Sequence, residues 1–214
     1  MLVSFLISIV GLVFLLINSI LFIKKNKGKD KVYKCLTFYL SSLFVIELVC
    51  HIIGISKPNS NFFLSHYYFI IQFIVLSLFF FQLLNDKIMK QFIVFNLFAV
   101  ASVLFFQYYN NPELYWQFNV LEIALTSIIL IFYCIVHFYK HLKTTYEYFF
   151  FCFGLTFYLT SSMLIFLSGN TTLVFFEDPF YMDIWVFNSL FYILYQYLVF
   201  KEWRFLTKGK EEIL

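Results

Sequence analysis

Seven apolar runs, covering 2–23, 35–56, 62–84, 91–108, 118–139, 149–168 and 184–200, take up most of the chain. A helix needs about 20 apolar residues to cross the ~30 Å hydrocarbon core of a bilayer, and these runs meet that length. Lipid offers backbone amides no partners, so a spanning segment must be a helix or part of a closed barrel. Barrel strands alternate apolar and polar residues, and these runs do not. The expectation is an all-α, polytopic membrane bundle of seven transmembrane helices, a single domain over 1–214 with short loops and no soluble domain. Only 13% of residues are charged and 62% are hydrophobic, with a mean hydropathy of +0.85. A water-soluble domain carries about a quarter charged residues and could not hide this much apolar surface.

Charge distribution predicts orientation, because Lys and Arg collect on the cytoplasmic side. Segments 24–34, 85–90, 140–148 and 201–214 hold 14 of the 15 Lys and Arg; the alternate loops hold only Lys57. The amino terminus is expected outside and the carboxyl terminus inside. The first run lacks a basic stretch before it and a small-residue cleavage site after it, so it is expected to be a retained helix rather than a signal peptide. The outer loop 169–183 is acidic through Glu177, Asp178 and Asp183, and Trp116, Trp185 and Trp203 fall at the expected interfaces. The four cysteines lie in or beside apolar runs without a CxxC pair, and are expected to be small buried hydrophobes.

An internal echo suggests a repeat. LTFYLSSLFVI (36–46) opens the second run and LTFYLTSSMLIF (155–166) lies early in the sixth. Both runs would cross in the same direction. This suggests two parallel triplets, helices 1–3 and 5–7, joined by helix 4, a plan found in some transporters.

Polar residues inside the runs mark candidate sites, since charges and amides facing lipid are costly and should point inward. With the amino terminus outside, Glu47, His51, His66, Gln72, Glu122, Asn188 and Tyr192 fall between the middle and the outer surface. Together they predict a ligand-binding pocket in the outer half of the bundle. Glu47 and His51 share a helix face at i, i+4 in FVIELVCHII. Glu122, Thr126, Tyr133 and His137 form a stripe on the fifth helix, and Ser4, Ser8, Gly11 and Asn18 one on the first. The last suits close helix packing. Each polar position also has a structural explanation: Glu47 with His51 as interhelical glue, Gln72 as an interhelical hydrogen bond, Glu122 as a hydrated interfacial group. His137 and His141, among lysines at the inner end, suggest no site.

The residue types bound the chemistry. No cofactor is expected, but Glu47, His51, His66 and Glu122 are the types a mixed zinc site uses, and no HExxH is present. Neither a Gly-x-Ser-x-Gly elbow nor a glycine-rich phosphate loop occurs. The seventh run has no lysine before Lys201, which excludes the usual retinal attachment point; no helix carries the arginine run of a voltage sensor.

The stretches PNSNFFLSHYYFIIQFIVLSLFFFQLL (58–84) and NSLFYILYQYLVF (188–200) resemble small seven-helix membrane proteins of Bacteroidota. The resemblance implies a bacterial inner-membrane location and this topology, and no mechanism. The leading expectation is a sensory or accessory module, with the bilayer and a separate membrane or cytoplasmic signalling protein as partners and no nucleic acid. The alternatives are a metal-dependent intramembrane enzyme acting on a lipid and a small-solute transporter.

Overall fold

Helices replace the apolar runs almost end for end in the computed structural model, which describes residues 2–57, 61–140, 146–168, 174–176 and 182–208. They are α1 (Leu2–Lys24), α2 (Lys31–Ser56), α3 (Leu64–Leu83), α4 (Lys87–Asn110), α5 (Val120–Lys140), α6 (Phe149–Ser168) and α7 (Ile184–Lys208). A 3-10 turn, Pro112–Trp116, precedes α5, and a short antiparallel pair, β1 (Val174–Phe176) with β2 (Met182–Asp183), precedes α7. The acidic loop residues Glu177 and Asp178, the side chain of Asp183, and His141 lie outside the described residues.

Where helix ends differ from the apolar runs, a cap or an amphipathic extension is the reason. Asp30 caps α2 by accepting from Tyr33 N at 3.1 Å, so the helix begins four residues before the apolar run. Asp86 does the same for α4, accepting from Ile88 N at 2.9 Å and Met89 N at 3.1 Å. The helix α7 continues to Lys208 because Glu202 turns inward and is fully buried while Arg204 stays exposed.

Six helices, α1 to α6, are long and apolar enough to cross a membrane, as expected of a multi-pass membrane protein. α7 is long enough, but its stretch 184–200 carries Asn188, Gln196 and three tyrosines and falls short in apolarity. Large apolar side chains on the outer faces are exposed, among them Phe98, Phe105 and Leu164. A water-soluble protein would bury them; lipid-facing helices present them.

The described helices group into two compact units. One comprises residues 23–130 and holds α2, α3, α4 and the first half of α5. Its core lies between α2 and α3, with Tyr33, Leu36, Tyr39, Leu40 and Leu43 from α2 and Phe69, Phe73, Leu76 and Phe80 from α3 buried. The other comprises residues 1–22 and 131–214. There α6 packs on α7, and the Tyr158 and Tyr195 rings stack at 5.5 Å. In this unit α1 also meets α7. Asn18 Nδ2 donates to both the backbone O and Oε1 of Gln196, each at 2.9 Å. Trp203 Nε1 donates to Leu21 O at 3.2 Å. A Cβ on Gly11 would lie 2.9 Å from the Tyr192 ring, so only glycine allows this approach. Of the α1 stripe, Gly11 and Asn18 thus meet α7, Ser8 donates to Phe5 O in its own helix at 2.8 Å, and the side chain of Ser4 lies outside the described residues.

Helix starts are evenly spaced in the chain. α1 and α5 start 118 residues apart, α2 and α6 118, and α3 and α7 120. Local bonding matches too. In α2, Thr37 and Ser41 hydroxyls bond back to Tyr33 O and Thr37 O. In α6, Thr156 and Thr160 bond back to Cys152 O and Thr156 O. Tyr39 and Tyr158, at matching places in the LTFYL echo, are both buried, and Phe38 and Phe157 are both exposed. All four cysteines are free; Cys134 and Cys152 are buried, Cys35 and Cys50 half-buried.

Candidate functional site

The polar concentration in unit 23–130 begins with how α5 starts. Asn119 precedes Val120 and accepts from Glu122 N at 3.3 Å, a side-chain cap on the third helical amide. The cap directs Glu122, in the first turn, into the protein, where it is 0% exposed. An isolated carboxylate so placed is costly and needs partners. His66, from the first turn of α3, places Nδ1 3.2 Å from Glu122 Oε2. Tyr108, from the last turn of α4, donates to the same oxygen and lies 2.8 Å from His66 Nδ1. Three helices therefore converge on Glu122 Oε2.

A second tier fixes this triangle. Asn119 Nδ2 donates to Tyr108 Oη at 3.2 Å and to Gln107 Oε1 at 2.9 Å, and Gln107 Nε2 returns a bond to Asn119 Oδ1 at 3.2 Å. His66 Nε2 donates to the Tyr115 carbonyl in the 3-10 turn at 3.1 Å, and the two rings stack at 5.7 Å. Phe63 meets both Tyr115 and Trp116, at 6.0 Å each, so the turn forms an aromatic cover over His66. The Tyr115 hydroxyl pairs with that of Tyr67 at 3.1 Å, and this bond raises its phenol above the ordinary value.

Proton bookkeeping follows from the partners. A carbonyl only accepts, so His66 Nε2 carries a proton. Tyr108 brings one hydroxyl proton to a triangle whose other members, His66 Nδ1 and Glu122 Oε2, both hold lone pairs when deprotonated. Their 3.2 Å contact therefore needs a second proton, on the imidazole or on the carboxyl. His66 keeps no open ring nitrogen in this arrangement. Glu122 Oε1, by contrast, is buried with no hydrogen-bond partner among the described residues.

The triangle stands at the end of an apolar groove of about 510 Å³ between α3 and α4. Ile70, Phe73, Leu97 and Ala101 line its length, and Tyr108 and Thr126 supply its polar end. Thr126 lies one turn beyond Glu122 and donates to Glu122 O at 2.7 Å.

The seven expected pocket residues fall in different places. His66 and Glu122 form the center just described. Gln72 is 1% exposed and donates to Tyr39 Oη at 2.9 Å, an α3–α2 bond. Glu47 and His51 are half-buried on α2, and His51 Nδ1 donates to Glu47 O at 2.8 Å, so the ring bonds to its own helix backbone. Asn188 and Tyr192 belong to the other unit, where Tyr192 packs on Tyr158 at 5.3 Å. Among the described residues no three His, Cys, Asp or Glu side chains gather at metal-binding range. Of the zinc set Glu47, His51, His66 and Glu122, the structure brings His66 and Glu122 together, at 3.2 Å. Tyr108, Gln107, Asn119 and Tyr115 were not singled out from sequence. The available signal was Asn119, a capping residue three positions before an acid at a helix start. Compared with protein-family models, curated proteins and solved structures, the chain matches none.

Proposed function

We propose that the protein is a membrane-embedded binding module, sensory or accessory in role, that takes an amphiphile from the outer leaflet. The observation that carries this is the buried His66–Glu122–Tyr108 center standing at the end of an apolar groove. Along α4 the groove runs from Leu97 to Tyr108, about 16 Å at 1.5 Å per residue. That is roughly half the ~30 Å hydrocarbon core, the length of one leaflet. The lysine distribution supports an outside amino terminus, which would put the polar end of the groove toward the outer surface. In this reading α7 crosses as a seventh span over 184–200, shielded by its neighbors, and the location is a bacterial inner membrane. The basic inner loops would face a cytoplasmic or membrane partner. Native mass spectrometry of the protein released from mild detergent tests the reading. A bound amphiphile is expected on the wild type and is expected to be lost in Ala101→Trp, which fills the groove. An empty wild type, or equal occupancy in both, refutes it.

A second reading, a small-solute transporter, draws on the even spacing of helix starts, 118, 118 and 120 residues. Such spacing supports parallel triplets around a linking helix. Buried polar atoms of the other unit without partners among the described residues, Asn18 Oδ1, Gln196 Nε2 and Ser162 Oγ, are what a solute path would offer. Solute flux into proteoliposomes that Gln196→Leu abolishes would favor it; absence of flux would remove it.

A further inference from the structure

We infer that the head of the groove's ligand is a hydrogen-bond donor, an amine or an alcohol, and not a carboxylate or phosphate. The inference rests on the amphiphile reading and names the ligand class of that same site. It follows from counting protons at the groove's polar end.

Two polar side chains line the groove, Tyr108 and Thr126. Each hydroxyl has one proton, and each proton points away from a ligand. Thr126 Oγ1 donates to Glu122 O at 2.7 Å. Tyr108 Oη donates within the triangle to Glu122 Oε2 and lies 2.8 Å from His66 Nδ1. What remains on both oxygens is lone pairs, and one of those on Tyr108 already accepts from Asn119 Nδ2 at 3.2 Å. Behind them stands Glu122 Oε1, buried and without a partner among the described residues, and a carboxylate oxygen accepts. The nearby donors are already engaged: both Asn119 Nδ2 protons are used, and His66 Nε2 is held by the Tyr115 carbonyl. The end of the groove is thus an acceptor-only surface. An ammonium or hydroxyl head would donate to Tyr108 Oη or Thr126 Oγ1. A carboxylate or phosphate would bring lone pairs to lone pairs and leave both sides unpaired, away from water.

Four probes with one tail separate the chemistry: dodecylamine, dodecanol, dodecanoate and dodecyl phosphate. Each is titrated calorimetrically into the full chain in zwitterionic-lipid nanodiscs, with empty nanodiscs as blank. The amine and the alcohol are expected to bind about tenfold or more tighter than the two anions, the ratio of one unmade buried hydrogen bond. Glu122→Gln, which adds a donor where only acceptors stood, is expected to erase that ratio. Thr126→Val, a milder change with the same fold, is expected to reduce it. The alcohol is the decisive neutral probe. If it binds no tighter than dodecanoate, charge and not hydrogen-bond sense sets the preference, and the inference is overturned. Binding of all four with equal strength, abolished by Ala101→Trp, overturns the inference while leaving the groove intact. No binding by any probe overturns the groove reading itself.

Discussion

The start of α6 depends on a residue 54 positions away, and removing it should unlatch the helix. Tyr148 N donates to Glu202 Oε1 at 2.7 Å and Phe151 N to Oε2 at 3.2 Å. Tyr148 N belongs to the residue before α6 and Phe151 N to its first turn, where amides have no intrahelical acceptor, and Glu202 is fully buried. The local sequence supplies no cap: the residue before the helix is Tyr148, itself held at φ +66°, a left-handed conformation that costs a side-chain-bearing residue about 1–2 kcal/mol. α2, by contrast, has Asp30 adjacent to it. Glu202→Ala removes two charge-assisted bonds worth about 1.5–3 kcal/mol each and leaves two buried N–H groups without acceptors. Taking the low end, the loss is about 3 kcal/mol. For a chain of this size that lowers Tm by about 6–12 °C. Glu202→Gln keeps one acceptor oxygen and turns its NH₂ toward the second amide, for a loss of about 1–2 kcal/mol. Thermal unfolding in mild detergent, followed by circular dichroism, measures both. The order wild type, Gln, Ala is expected. If both variants unfold within about 0.5 kcal/mol of wild type, as neutral surface changes do, the cap is not holding α6.

Three further outcomes are expected. Gly11→Ala should lower stability by about 1–3 kcal/mol through the Tyr192 ring that its Cβ would meet at 2.9 Å, and Tyr192→Leu should recover part of it in the same assay. Asn18→Leu should cost about 1–3 kcal/mol by orphaning the Gln196 side chain. The double variant with Gln196→Leu should lose less than the two singles summed, and additivity within about 0.5 kcal/mol would deny the contact. Terminal reporter fusions should place the amino and carboxyl termini on opposite sides of the membrane; the same side would mean that α7 does not cross.

Helix positions were legible because lipid imposes one rule on every residue of a span, and a run of apolar side chains states that rule directly. α6 matches its run, 149–168, residue for residue. The ends were less legible, because caps such as Asp30 and Asp86 and the inward turn of Glu202 extend helices into polar sequence. Glu122 and His66 could be picked out by charge within apolar runs. Their pairing depends on which faces of α3 and α5 meet, and Tyr108 joins them only because α4 ends beside them. Nothing in QYYNN at 107–111 separates Tyr108 from Tyr109, yet the first binds Glu122 and the second is 76% exposed. Glu47 and His51 stood out equally well in sequence. The backbone of their own helix supplied a partner for the histidine, a contact that i, i+4 spacing permits as readily as a site between helices.

The even spacing of helix starts gives the two units a common logic. If α1–α3 and α5–α7 are equivalent triplets, each first helix packs with the other triplet's members. α1 meets α7 through Asn18, Gly11 and Leu21, and the first half of α5 meets α3 through Glu122 and His66. This explains why polar residues cluster where they do. Apolar side chains gain little by choosing another helix over lipid, so partner choice between helices must come from hydrogen bonds and close contacts. Asn18–Gln196 and Glu122–His66 are those bonds, one in each unit. The two differ in one respect that bears on function. The amide pair needs no proton beyond its own, whereas the carboxylate–imidazole pair needs one added proton and leaves Glu122 Oε1 without a partner among the described residues. A pair serving only to choose partners could have been an amide in both units. The ionizable pair stands where α4 adds Tyr108 and the groove wall, and that is where binding is expected.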